Sequence, residues 1–379
     1  MTSHALRRWR WLHKWSSIVC TLFLLLLCLT GLPLIFSEEI NDYLDPLRSG
    51  PSTMRDVTAH VDETVTRARQ AWPGQRVRLA VFDPDRARIT LRLSPGADDA
   101  FDTTHEMTFS AHTGKLLRDG PPPGDAVMDT ILQLHVQMLA GLPGELFLGL
   151  MGLVFAVAIV SGVALYAPFM RRMRFGEIRW RRSVRVRWLD VHNFLGVATV
   201  CWVLIVVLTG VMNTLATPLF GLWEMRDVVP VLKPFMPDAP VIPAASLSRA
   251  IRVTEGALPA MTVRFVTFPT HINGSPDHYV VWTQGKSKLR SRFMTPVLVD
   301  AAKGEVAFVA KMPWYLRLLE LCRPLHFGDY GGVLLKGLWA ILDVVTIVVL
   351  GSGLYLLLAG KRQPAQAAES RAEWSGKAA

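Results

Sequence analysis

The chain has 379 residues, 51% hydrophobic and 19% charged, with a formal net charge of +10 and a mean hydropathy of +0.29. That is too apolar for an ordinary soluble domain and too charged for a chain immersed in lipid throughout, so membrane helices and water-exposed parts must coexist. The basic excess sits in clusters beside apolar stretches, which makes it topological and removes nucleic acid as a partner.

Residues 1–37 are expected to hold a short basic terminus (Arg7, Arg8, Arg10, Lys14) and a first spanning helix, since Ile18 to Phe36 carries no charge and about 20 apolar residues cross a bilayer. Ser37-Glu38-Glu39 follows instead of a small-residue cleavage site, so the stretch reads as an uncleaved anchor. Residues 38–127 read as a first outer α+β domain. A helix over 57–71 has apolar positions at Val57, Val61, Val65 and Ala68, and strands follow near 76–82, 87–93 and 106–110. His112-Thr113-Gly114-Lys115 is a turn.

Residues 128–170 are the second membrane element, uncharged from Leu146 to Met170, with an interruption expected at Pro143-Gly144. A basic loop over 171–191 carries Arg171, Arg172, Arg174, Arg179, Arg181, Arg182, Arg185 and Arg187. The third helix, 192–218, is expected to end near Pro218. Residues 219–320 form a second outer α+β domain: a helix over 246–256, strands near 261–268, 279–284 and 292–299, and a turn over 300–305. The fourth helix, 321–360, has one charge in its apolar stretch, Asp343, and the tail 361–379 opens on Lys361 and Arg362. All basic clusters fall on one side of a four-helix path. The positive-inside rule makes that side cytoplasmic, with both termini inside and the larger segments in the periplasm of a bacterial inner membrane.

The chain also repeats itself. Arg10-Trp11-Leu12-His13 opens the first helix, and Arg187-Trp188-Leu189-Asp190-Val191-His192 opens the third. Gly31 follows His13 by 18 residues, and Gly210 follows His192 by 18; Thr30 and Thr209 precede the two glycines. His135 and His326 precede the second and fourth helices, with Ser161-Gly162 and Ser352-Gly353 at 26 and 27 residues from each. The expected fold is an α-helical membrane protein. Four transmembrane helices form two tandem repeats of helix, outer α+β domain and helix, related by a pseudo-two-fold axis along the membrane normal.

Four of the ten histidines, His13, His135, His192 and His326, thus hold equivalent positions. One such histidine alone is more often an interfacial anchor; four in register point to function. The axis pairs His13 with His192 on the cytoplasmic side and His135 with His326 on the outer side. Two imidazoles facing each other in a bundle suit a six-coordinate haem iron. Eighteen residues make five helical turns, which sets Gly31 on the face of His13 and Gly210 on that of His192, with room for a porphyrin or simply for a packed helix. The absence of Cys-x-x-Cys-His argues against covalent c-type attachment, and no cysteine or carboxylate repeats beside the histidines as a zinc site would want. Cys20, Cys28 and Cys201 are expected as inert helix core, and Cys322 stands alone near the outer side. The residues point to two non-covalent, bis-His haem b groups.

At these residues the chain resembles the PepSY-associated transmembrane family. The matching features are Arg-Trp-Leu-His13-Lys-Trp, Leu-Thr30-Gly31, the His192 to Gly210 copy, and outer turns at Gly114-Lys115 and Gly304-Glu305 similar to those of the PepSY module. The resemblance covers about residues 7–360. It implies PepSY-like outer domains and haem ligation by His13, His135, His192 and His326. Members of the same layout act as inner-membrane di-haem reductases of ferric siderophores, ferrioxamine among them.

The expected activity is therefore ferric-siderophore reduction, fed by a cytoplasmic or quinol electron donor and embedded in the lipid bilayer. Arg8, Arg10, Lys14 and Arg187 at one end, and Arg323 and Lys336 at the other, are candidate partners for haem propionates or plain interfacial anchors. Trp202, Trp314 and Trp339 are candidate path residues or packing. Asp343 has Gly152 at its repeat position. Two other readings stay open: a haem-free binding or regulatory protein that uses its outer modules, and a permease for the ferric chelate.

Overall fold

The computed structural model describes residues 2–45, 47, 60–83, 86–99, 104–170, 174–232, 240–271, 275–286, 294–328 and 331–376. It divides into two compact units. One comprises Met1–Ser37, Asp129–Ala216 and Cys322–Ala379; the other comprises Glu38–Met128 and Thr217–Leu321.

In the first unit, four helices among the described residues are long and apolar enough to cross a membrane: Ser3–Ile35 (α1), Gly141–Pro168 within α5 (Gly141–Met170), Val184–Asn213 (α6) and Gly332–Ala359 within α11 (Gly332–Gly376). α1 packs on α5 and α11, and α6 packs on α5 and α11. Only 17% of the most apolar stretch of α1 is buried by protein, and Leu22 stays 73% exposed. Apolar side chains turned outward all round a bundle need lipid around them, so the chain is a multi-pass membrane protein.

The helix bounds differ from expectation in all four membrane elements. α1 begins at Ser3, capped by the Thr2 hydroxyl, and α6 begins at Val184, so His13 and His192 lie well inside their helices. The second membrane element is not one helix with a break at Pro143-Gly144. Asp125–Gln137 (α4) carries His135 and stops where Met138 and Leu139 take positive φ, 51° and 58°; Pro143 then sits in the first turn of α5, where its missing N–H costs nothing. The fourth is likewise split, into Trp314–Phe327 (α10), carrying His326, and α11. The third ends at Asn213, before Pro218, which lies inside Ala216–Trp223 (α7).

The second unit has the expected α+β character but corrects the expectation of two separate outer domains. Its strands form one eight-stranded antiparallel sheet, in the order β4-β3-β2-β1-β5-β6-β7-β8. The first segment supplies Arg76–Asp83 (β1), Arg88–Ser94 (β2), His105–Ser110 (β3) and Leu116–Asp119 (β4). The second supplies Met261–Thr267 (β5), His278–Gly285 (β6), Met294–Asp300 (β7) and Val306–Val309 (β8). The segments join where Leu79, Ala80 and Val81 pair with Thr267, Val266 and Phe265. Pairing β1 with β5 removes the exposed edge each segment would otherwise present. Three strands per segment were expected and four are found: β4 and β8 are four residues each, too short for alternation to register, and each returns through a turn at Gly114 or Gly304, whose φ of +60° and +68° suits glycine.

Val61–Ala71 (α3) and Leu247–Ala257 (α9) cover one face of the sheet. The expected helix over 57–71 is seen from Val61; Val57 lies outside the described residues. Val61, Val65, Phe82, Ile89, Leu91 and Phe109 from the first segment, and Ile251, Val266, Val281 and Val297 from the second, belong to a single core. β1 and β5 each carry a register shift beside an arginine. In β1 the shift turns Arg78 inward, where it donates to Ser94 Oγ, Gly96 O and Asp99 O, each at 3.0 Å; in β5, Arg264 donates to Phe82 O at 3.3 Å.

One core predicts one unfolding event. Phe82→Ala is expected to cost about 3–5 kcal/mol and to lower amide-exchange protection in β5–β7 together with β1–β3. Unchanged protection in the second segment, measured on the full chain in detergent, would mean that the segments unfold separately.

Candidate functional site

All four repeat-equivalent histidines lie in the membrane unit, and each rests on a neighbouring helix in the same manner. His13 on α1 meets α5: Nδ1 is 2.9 Å from Ala158 O and 3.4 Å from Ser161 Oγ, and a Cβ added to Gly162 would lie 3.0 Å from Cε1. His192 on α6 meets α11: Nδ1 is 3.0 Å from Val349 O and 3.1 Å from Ser352 Oγ, with the Gly353 position 3.2 Å away. His326 on α10 meets α6: Nδ1 is 2.9 Å from Val206 O and 3.4 Å from Thr209 Oγ1, with the Gly210 position 3.0 Å away. His135 on α4 meets α1: Nδ1 is 2.9 Å from Thr30 Oγ1, the Leu27 backbone is a further hydrogen-bond partner, and the Gly31 position is 3.2 Å away.

Each cradle uses a backbone carbonyl, a hydroxyl three residues on and a glycine one residue further. Residues three and four apart lie on one helix face, so the three features form one socket. The hydroxyls spend their own protons on the helix: Ser161 donates to Val157 O, Thr30 to Leu26 O and Thr209 to Ile205 O, each at 2.7 Å, and Ser352 to Val349 O at 2.9 Å. They therefore face the histidines as acceptors. Carbonyl oxygens also only accept, so Nδ1 carries the imidazole hydrogen and Nε2 keeps its lone pair.

The sockets bring the rings together two by two. His13 and His192 have centroids 6.5 Å apart at 63°, and His135 and His326 are 6.3 Å apart at 60°. Both pairings are those expected from the repeat. The glycine placement is corrected: Gly31 serves His135, not His13, and Gly210 serves His326, not His192. An 18-residue spacing does share a face, but its members sit about 27 Å apart along the axis. α1 and α6 thus each carry a histidine at one end and a socket at the other, whereas α5 and α11 carry sockets alone and α4 and α10 bring the remaining two histidines.

Other expected residues fall out variously. Arg179 donates from its backbone N (3.0 Å), Nε (2.9 Å) and Nη2 (2.7 Å) to the buried Asp190, so this arginine folds the basic loop onto α6 as well as adding charge. Arg171 and Arg172 lie outside the described residues. Lys14 lies 5.5 Å from the Trp15 ring. Trp202 and Trp339 form an edge-to-face pair at 6.1 Å, whereas Trp314 is 76% exposed. Cys201 is exposed rather than core, because its side of α6 faces outward; Cys20 is buried. Among the described residues no group of three or more His, Cys, Asp or Glu is placed to hold a metal ion.

The sockets are testable through packing. Gly162→Val and Gly353→Val force side chains into the imidazoles and are expected to cost about 1–3 kcal/mol each, read as a lower unfolding midpoint in detergent. Gly351→Val, whose Cβ would meet nothing within 4 Å, serves as the neutral control. An equal effect at all three positions would remove the socket interpretation.

Among known proteins, the chain is 24% identical over 258 residues to uncharacterized protein PA4219 of Pseudomonas aeruginosa, an alignment that covers 61% of this chain and 63% of that protein. The chain thus matches somewhat less than two thirds of the length of this curated relative. The model of the PepSY-associated TM region family matches residues 10–359, a span that holds all four histidines, all four sockets and every strand, and the chain belongs to that family.

Proposed function

We propose that this protein is a bacterial inner-membrane reductase that delivers electrons from a cytoplasmic or quinol donor to ferric iron held in a periplasmic siderophore, using two bis-His haem b groups. The observation that carries the proposal is the pair of facing imidazoles at each end of one helix bundle. Imidazole nitrogens bind metals at about 2.0–2.1 Å, so two rings on opposite sides of one ion have centroids about 6 Å apart. The separations here are 6.5 and 6.3 Å. A haem-ligating histidine donates its other N–H to a carbonyl or similar acceptor, which sets the ring and raises its basicity; all four Nδ1 groups are so engaged. Each pair of imidazoles would hold a haem, whose macrocycle would bring the remaining ligands of its iron.

When bound, haem supplies a one-electron couple. The chain's own residues do the rest. His13 and His192 hold one end, and His135 and His326 hold the other. Thr30, bonded to His135, lies 17 residues after His13 on α1, so the two ends are about 25 Å apart along the axis. That separation spans most of a bilayer core. The apolar helices keep water from the path. Arg187, whose Nε is buried without a partner among the described residues, is the best-placed cation for a propionate at the His192 end. Reduction releases the metal because hard oxygen chelators hold Fe(III) far better than Fe(II). We further propose that the two halves are a tandem duplication about a pseudo-two-fold axis, with the basic loop and both termini in the cytoplasm.

A visible spectrum of the detergent-purified chain tests this directly. Two haems per chain with sharp low-spin reduced bands are expected. His13→Ala or His192→Ala removes one, and His135→Ala or His326→Ala removes the other, each halving the haem content and abolishing ferric-chelate reduction. A colourless protein after expression with ample haem overturns the proposal.

A further inference from the structure

The middle of α11 holds one acid, Asp343, buried at 8% exposure. Its hydrogen-bond partner is the Cys28 thiol of α1, and its Oδ2 has no partner among the described residues. Among the described residues, no cation acts on its carboxyl. Residues 15–35 of α1, 146–170 of α5 and 193–213 of α6 contain no Asp, Glu, Lys, Arg or His. The titratable side chains on those stretches are Cys20 and Cys28, Tyr166, and Cys201; the apolar part of α11, residues 332–359, adds Lys336 and Tyr355, seven residues before and twelve after Asp343.

The carboxyl lies between the two histidine pairs. On α11 it precedes Val349, the carbonyl partner of His192, by six residues, about 9 Å of helix rise. On α1 its partner Cys28 precedes Thr30, the hydroxyl partner of His135, by two. One turn before Asp343, Trp339 pairs with Trp202, and both indole Nε1 atoms are buried without partners among the described residues. Polar atoms thus continue beside the carboxyl. Packing does not require an acid here. At the repeat-equivalent Gly152, a Cβ would already come within 2.8 Å of Val211 Cγ2, so the first half closes the same position with apolar contact alone.

We propose that Asp343 is a proton-binding site coupled to electron occupancy of the histidine-held centres, a role that rests on the haem reading above. A carboxylate without a cation is disfavoured in low dielectric, and an added electron nearby disfavours it further, so reduction draws a proton onto the acid. The balance is one for one. An electron enters from the cytoplasmic or quinol donor and a proton from bulk water binds the Asp343 carboxylate. When the electron leaves to convert Fe(III) to Fe(II), the carboxyl returns its proton to bulk water. The charge within the bundle is then unchanged through the cycle, and the electron does not have to carry a net negative charge across lipid.

The experiment is a potentiometric titration of the full chain in detergent, followed by visible absorbance across the neutral pH range. One centre is expected to shift its midpoint by about 59 mV per tenfold change in proton activity, the one-electron conversion. Asp343→Asn abolishes the shift and Asp343→Glu retains it. Infrared difference spectra on reduction gain a protonated-carboxyl band that Asp343→Asn lacks. An equal shift in wild type and Asp343→Asn, or two reversible low-spin centres with pH-independent potentials, overturns this proposal and leaves the haem reading standing. A chain with no visible redox centre overturns both.

Discussion

The Nδ1–H of a histidine, donated to the backbone of the next helix, is the interaction on which the membrane unit turns. An α-helix normally has no free carbonyl capacity on a lipid-facing bundle except the second lone pair of each oxygen. Here Ala158, Val349 and Val206 use that second lone pair for an imidazole. Reaching it requires the ring to lie against the backbone, so no side chain can stand at the contact point, and glycine is found there in every case. The hydroxyl beside the glycine supplies a second acceptor because its own proton is already committed to the helix. The socket therefore fixes the ring's position and its tautomer together. Both are needed if a metal is to meet a lone pair and not a hydrogen.

That constraint also explains why the His-bearing segments α4 and α10 are broken from the spanning helices that follow. A continuous helix would fix the height and azimuth of His135 relative to α5. The turn at 138–140, with Met138 and Leu139 at positive φ, frees α4 to set His135 against α1 instead. Such φ values in non-glycine residues cost of order 1–3 kcal/mol each, and they persist where the surrounding structure over-determines them. His13 and His192 need no such break, since each sits within a long helix whose neighbour already carries the socket at the right level.

Much of this was legible in the sequence. Four long apolar stretches with a single charge among them, Asp343, mark the membrane helices, and equal His-to-Gly spacings in two places point to the pairing of His13 with His192 and His135 with His326. Ser-Gly and Thr-Gly pairs were visible as repeats, but their role was not, because a spacing reports which residues share a face and not which neighbouring helix fills it. The eight-stranded sheet was hidden for a related reason. Alternation in β1 and β5 shows that each is a strand with one buried face, while the partner across an edge leaves no periodic trace. Four-residue β4 and β8 are shorter than any alternation can reveal. The break at 138–140 was misplaced because Pro143 is the conspicuous residue; proline at a first turn starts a helix as readily as it ends one.

On the proposed duplication, the departures between the halves are the informative positions. Where both halves carry the same residue, packing of two like units suffices as an explanation. Asp343 opposite Gly152 is a departure of a different kind: it adds a charge where the other half shows that space can be closed without one. Burial of an acid in a bundle disfavours its ionised form, so such a residue is retained against its own cost to stability. On the proposed reading that cost has a use, because two one-electron centres in lipid face the same electrostatic difficulty as the acid itself. Each negative charge placed between apolar helices makes the next less favourable, and a group able to turn neutral at the moment an electron arrives relieves both. A site of that kind belongs between the centres, off the imidazoles and within reach of polar atoms. Asp343, set between the histidine levels and next to Cys28 and the Trp202–Trp339 pair, meets all three conditions.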